Sequence, residues 1–190
     1  MLAEFESFGL FETLPLDLDK SVTLVSKLPA EATVKKSFIK ELKDGLFLKH
    51  ETFLANPLLL SIMLLTYKYS ADIPDKLSIF YNQACEALFQ KHDALKGAFK
   101  RARETDLDII SFERVISAFS LLTYAESKIT FSSIEALEYL EKSKSISGIE
   151  FSASCFLKDL LQAVCLMGED GLFITYTHRS FQEYFVAKFI

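Results

Sequence analysis

At 190 residues and 21.6 kDa, the chain has room for one ordinary domain or two small ones. Half of its residues are apolar and mean hydropathy is +0.21, which excludes a disordered chain. Six Gly and four Pro exclude a collagen-like protein, a linker or a turn-rich β-sandwich, and a net charge of −5 argues against a chain built to hold nucleic acid.

Three cysteines (Cys85, Cys155 and Cys165) show no framework spacing and point to a reducing, cytoplasmic compartment. No stretch reaches the roughly 18 continuous apolar residues of a membrane helix, so no membrane partner is expected. The N-terminus carries no basic leader followed by an apolar core. Eighteen Phe with no Trp suggest aromatic helix packing. The expected class is mainly α: a small helical bundle followed by a winged-helix domain with a short β-hairpin.

In chain order, Phe5 to Leu16 alternates like a strand but has no neighbour to pair with, so it is expected either to pair with a segment outside this chain or to be only an extended arm. Asp17 to Leu28 turns helical, with Val22, Val25 and Leu28 on one side and Pro29 ending it. Glu31 to Leu42 repeats Val34, Phe38 and Leu42, and Gly45 is the expected stop. Asn56 caps a helix that starts at Pro57, where the missing N–H costs nothing, and Leu58 to Leu65 is apolar nearly all round. The longest helix is expected from Ile73-Pro74 to about Phe99, with Leu77, Tyr81, Ala84, Leu88 and Leu95 aligned.

After a polar break at 101–106, Ser111 to Ala125 reads as a helix with Phe112, Val115, Ile116, Phe119 and Leu122 inward. Ser132 and Glu135 form a capping box ahead of a stripe of Ile134, Leu137 and Leu140. Lys142 to Gly148 is expected as a loop and Phe151 to Ala163 as a third helix. Val164 to Gly168 and Leu172 to Thr177 read as two strands joined by a Glu169-Asp170-Gly171 turn. Three helices and a hairpin follow the winged-helix order. A last helix begins near His178, with Thr177 as a candidate cap. Its Phe181, Tyr184, Phe185 and Phe189 stripe is expected to need a cover from outside the chain.

The chemistry-bearing residues are few. No G-x-x-x-x-G-K-[ST] phosphate cradle is present, His50, His92 and His178 are dispersed, and no Cys/His pair has ligand spacing. Ser180, His178 and Asp170 lack the nucleophile elbow that a hydrolytic triad needs. A DNA-reading role finds one basic residue, Lys158, against one acidic, Asp159, in the third helix, and an acidic wing. The cluster Lys91, Lys96, Lys100, Arg101 and Arg103 reads as a solvated helix end. Pro57 reads first as a helix start. His178 stands where a strand gives way to a helix, a place whose free N–H groups suit a phosphate.

The string Thr177-His178-Arg179-Ser180-Phe181-Gln182-Glu183-Tyr184-Phe185-Val186-Ala187 resembles the H-x-S-F-Q-E-[FY]-[FL]-A-A signature of NACHT-type STAND NTPases. Asn56-Pro57-Leu58-Leu59-Leu60 resembles that family's N-P-L-L-L helix, and the two strings occur in the family's order. Val186 departs from the Ala often found there.

The resemblance implies the rear part of a nucleotide-binding module. Residues 1–16 would end a nucleotide-binding core, 17–103 form a helical domain, 104–177 a winged-helix domain, and 178–190 start a second helical domain. It further implies ADP or ATP with Mg in a full-length parent, Pro57 against the adenine and His178 on the β-phosphate. This fragment alone is expected neither to hold the nucleotide tightly nor to be an enzyme. The implied partners are an N-terminal core, a downstream sensor domain and further copies in an active oligomer, in immune signalling or antiviral defence. A winged-helix scaffold that binds a protein without nucleotide is the alternative, and a DNA-binding regulator the third.

Overall fold

A computed structural model of the chain describes residues 14–67, 77–91 and 103–190. The expected strand residues 5–13, both ends of the longest helix, and Lys96, Lys100 and Arg101 lie outside the described residues. The chain divides into two compact units, Met1–Ile73 and Pro74–Ile190.

In the first unit, residues 14–17 have no regular structure, and the Leu16 N–H donates to the Ala55 carbonyl at 2.9 Å. Asp17 caps α1 (Leu18–Lys27) by accepting from the Lys20 N–H at 2.8 Å. Helix α2 (Ala32–Glu41) follows and buries Phe38. Gly45, at φ +121°, kinks the chain inside a wide turn at Leu42–Leu46 but does not end helical structure. It resumes in two short pieces, α3 (Phe47–Lys49) and α4 (Glu51–Leu54). Helix α5 (Pro57–Tyr67) buries Leu59, Leu60, Ile62, Met63, Leu64 and Thr66, as its all-round apolar sequence requires. Helices α1, α2 and α4 pack against it.

The second unit begins its described part with α6 (Leu77–Lys91), then α7 (Ile109–Ala125), which is capped by Asp108 accepting from the Ser111 N–H at 2.8 Å. Strand β1 (Thr130–Ser132) leads directly into α8 (Ser133–Ser147). There the capping box forms as its sequence predicts. Helix α9 (Ala153–Lys158) widens into a turn at Asp159–Ala163 before β2 (Met167–Asp170), β3 (Phe173–Tyr176) and α10 (Arg179–Phe189).

The three strands form an antiparallel sheet in the order β1-β3-β2, pairing Phe131 with Ile174 and Met167 with Tyr176. Helices α7, α8 and α9 with this sheet, in the chain order α7-β1-α8-α9-β2-β3, make a winged-helix-like part. The chain is thus mainly helical with a small sheet, the expected class.

Several local expectations are corrected. The segment from Lys142 to Gly148 is the end of α8, not a loop. The Ser143 and Ser145 hydroxyls donate back to the Leu140 and Lys142 carbonyls at 2.7 and 2.8 Å, so they are satisfied within the helix, which stops at Gly148 with φ +67°. Ile134 is 71% exposed, and the buried face of α8 instead runs through Ala136, Tyr139, Leu140 and Ser143.

Strand β1 was not expected. It exists because β3 offers it a partner. The hairpin turn sits at Gly171-Leu172, beyond the expected Glu169-Asp170-Gly171, since Asp170 pairs with Phe173 and Gly171 supplies the positive φ. Part of the aromatic stripe of α10 is covered within the unit: Phe181 and Phe185 are buried against α7 and α6, while Phe189 stays 40% exposed. Tyr81 meets Phe181 edge-on at 5.5 Å and stacks with Tyr184 at 5.3 Å.

Asp159, read from sequence as a surface acid of the third helix, is 1% exposed. Its carboxylate accepts from the Glu104 N–H (2.7 Å), the Thr105 N–H (3.0 Å) and the Thr105 hydroxyl (2.5 Å), which ties the start of the winged-helix-like part to α9. Asp159→Ala strands three donors and is expected to cost on the order of 3 kcal/mol, read as a lower midpoint in urea unfolding.

Candidate functional site

The first candidate residue, Pro57, opens α5 in the first unit. Asn56 Oδ1 accepts from the Leu58 and Leu59 N–H groups at 2.9 and 3.2 Å, so capping is accomplished by the asparagine. The Pro57 ring is exposed, and so is part of Leu58 beside it. The first turn of an otherwise buried helix therefore presents an apolar surface that packing within the unit does not use.

The second candidate, His178, lies in the second unit, between β3 and α10. Its backbone is extended (φ −155°), making it the last residue before the helix. Thr177 is not the cap. Its N–H and its hydroxyl both reach the Leu166 carbonyl at 3.0 Å, which holds it to the chain entering β2. Capping falls to the imidazole: His178 Nδ1 accepts from the Ser180 N–H at 3.2 Å, and the Ser180 hydroxyl lies 2.5 Å from the same nitrogen. Phe181, the next residue, meets the Tyr81 ring edge-on. Tyr81 sits on α6 and is itself nearly buried among Phe80, Phe181 and Tyr184.

The half-buried ring favours its neutral form. Burial pushes the His178 imidazole below its ordinary 6.5, and the Glu183 carboxylate pulls weakly the other way. Glu183 is occupied by Arg179, at 3.0 Å one helical turn back. A neutral imidazole accepting at Nδ1 carries its proton on Nε2, so the ring offers one N–H donor. Such a group suits an acceptor-only ligand atom, for which a phosphate oxygen qualifies.

Sequence reading found Pro57, His178 and the helix start. It missed Ser180 as the partner of the imidazole and placed it only in an incomplete hydrolytic triad.

The surfaces relevant to nucleic acid offer little positive charge. The exposed residues of the third helical segment are Ser152, Ser154, Lys158 and Gln162, and the hairpin tip carries Glu169, Asp170 and Leu172, the last 89% exposed. Arg103 is engaged, donating to the Leu107 carbonyl at 2.7 Å and lying 4.0 Å over the Phe89 ring. Among the described residues, no three His, Cys, Asp or Glu side chains gather as a metal site, and no helix is long and apolar enough to cross a membrane. Comparison with known proteins finds no matching family model, no matching curated protein and no matching solved structure.

The depressed basicity of His178 makes stability depend on pH with a definite sign. The unfolded chain binds a proton below about pH 6.5 that the folded chain resists, so stability falls as pH drops below that value. His178→Asn keeps a capping side chain but cannot titrate. Urea unfolding between pH 5 and 8 should show a steeper acid loss for the wild type than for this variant, and equal slopes would remove the burial effect.

Proposed function

We propose that the chain is the regulatory helical and winged-helix half of a NACHT-type STAND NTPase module, which closes over ADP and controls ATP-dependent oligomerisation. The reading is supported by the two sequence strings and by the winged-helix-like order of α7 to β3. The observation that carries it is the capping of α10 by His178, whose Nδ1 accepts from the Ser180 N–H and leaves Nε2 as the ring's donor. The exposed ring of Pro57 suits a flat purine as His178 suits a phosphate.

An adenine nucleotide, bound by the whole module, supplies an apolar face and an anionic acceptor. In this chain, Pro57 offers van der Waals contact to the base and His178 donates through Nε2–H. Thr177, tied to the Leu166 carbonyl, holds the histidine close to the sheet, so that engagement of the imidazole restrains the winged-helix-like part. A hydrogen bond to a charged acceptor contributes about 1.5–3 kcal/mol, enough to bias two closely balanced states if the ligand binds one better than the other. Release of that contact frees the winged-helix-like part and exposes surfaces for self-association.

In a parent protein carrying a nucleotide-binding core, His178→Ala is expected to shorten ADP retention and raise basal oligomerisation. Mass photometry and a nucleotide-release assay read both, and no change in either overturns the reading. A winged-helix scaffold that recognises a protein partner without nucleotide is favoured by one feature, the exposed Leu172 and Phe173 at the hairpin tip. A parent without any phosphate-binding loop would select that second reading.

A further inference from the structure

We propose that the chain carries a second binding site, a pocket where α7, α8 and α10 meet, which takes a small organic carboxylate with an apolar body. The pocket lies at the far end of α10 from His178, about 15 Å along the helix, and owes nothing to the nucleotide reading.

Its volume is about 360 Å³, at the small end of the range in which ligands are held. One side of α7 contributes Ile110, Glu113, Arg114 and Ser117, which recur at three- and four-residue spacing and therefore share a face of the helix. The ends of α8 and α10 complete it through Ile146 and Ser147 and through Lys188 and Phe189.

The charges in it do not cancel. Lys188 is committed to Glu113 at 2.7 Å and to Asn82 Oδ1 at 3.1 Å, which neutralises that corner. Arg114 gives one N–H to the Ser147 carbonyl at 2.8 Å, and among the described residues no carboxylate pairs with it. The guanidinium thus keeps its positive charge and further donors in a fixed fork, which matches the two oxygens of a carboxylate. Its bond to Ser147 spans α7 and α8, so the fork is held in place.

Ser117 is the residue that points to a ligand. It is 4% exposed and lines the pocket, yet its hydroxyl makes no hydrogen bond among the described residues. Other buried hydroxyls of this unit bond back to their own helix: Thr123 to the Phe119 carbonyl at 3.0 Å and Ser143 to the Leu140 carbonyl at 2.7 Å. A buried hydroxyl without a partner costs stability, and alanine would occupy nearly the same space without that cost. One helical turn separates Ser117 from Arg114, close enough for both to serve one carboxylate. Ile110, Ile146 and Phe189, respectively 68%, 39% and 40% exposed, offer apolar surface for the rest of the molecule. A phosphate would leave its remaining oxygens against these side chains, and an amine would meet the Arg114 charge.

The test is titration of the 190-residue chain with hexanoate, hexanamide and hexylamine, which share an apolar tail and differ in the head group. Saturation-transfer difference NMR reads the binding. Hexanoate is expected to saturate and to bind about tenfold more tightly than hexanamide, through charge-assisted hydrogen bonds. Ser117→Ala removes a hydroxyl that no described residue uses, so thermal unfolding should show no loss of stability while hexanoate affinity falls about fivefold. Arg114→Met should abolish the preference for hexanoate over hexanamide, with circular dichroism checking its fold; Ser117→Ala keeps the proposal falsifiable if that variant, deprived of its bond to Ser147, does not fold. Absence of hexanoate binding, equal binding of the three probes, or a preference for hexylamine, which would seat a cation against Glu113, overturns the proposal. An unchanged hexanoate affinity in Ser117→Ala overturns it as well.

Discussion

Gln182 is 1% exposed, and its amide nitrogen donates to Thr123 Oγ1 at 2.9 Å and to the Lys128 carbonyl at 2.8 Å. The setting of His178 depends on this pair of bonds. Phe181 and Phe185 supply the burial that attaches α10 to α7, about 1.5–3 kcal/mol for each such side chain, but rings packed on rings tolerate sliding and rotation. A directed amide with both protons used does not, because any shift strands a buried donor. The Gln182 bonds thus fix where α10 starts and how it is turned, and with it the place of the residue that caps it.

The same division of labour recurs through the second unit. Stacked and edge-on rings fill the interior: Phe112 on Phe156 at 4.4 Å, and Phe119 near Phe131, Tyr139 and Tyr176. Single polar contacts then set the register between elements. The Tyr176 hydroxyl meets Ser120 at 2.8 Å in a buried contact that locks β3 to α7, and Asp159 ties the loop before α7 to α9. The wing and the third helical segment are held at defined positions relative to α7, which makes the winged-helix-like part a stiff body able to transmit restraint.

What the sequence made legible follows from how local each signal is. Caps and breakers act within four residues, so Asp17, Asn56 and the Ser132–Glu135 box marked real helix starts. The Glu135 carboxyl is held down at about 2 by Lys128 first and then by Ser132, a pairing already half visible in the capping pattern. Strand β1 was invisible because the alternation of Thr130-Phe131-Ser132 is too short to stand out and its existence depends on β3. The serines near the end of α8 looked like a loop because their hydroxyls compete for backbone groups; only the helical alternative, bonding back three residues, satisfied them in place. Asp159 was counted on the face of the third helix and Gln182 was left out of the expected inward stripe, since nothing local shows that a polar side chain will find buried partners. The position of His178 was legible, whereas its role as the cap was not, because Thr177 beside it offers a commoner capping side chain.

These distinctions bear on how much the string from Thr177 to Ala187 says about chemistry. Phe181, Gln182, Phe185 and Val186 all face inward, and Arg179 with Glu183 makes an exposed pair of the kind many helices carry. Packing of α10 alone would demand most of that pattern. The N-cap is different: Ser, Thr, Asp and Asn fill that position well and without a titrating ring. Placing an imidazole there, half-buried and supplied with a serine to orient it, is not asked for by the helix or by the core. The part of the motif that structure leaves unexplained is thus concentrated at His178 and Ser180, and a functional reading of this chain has its strongest physical ground there.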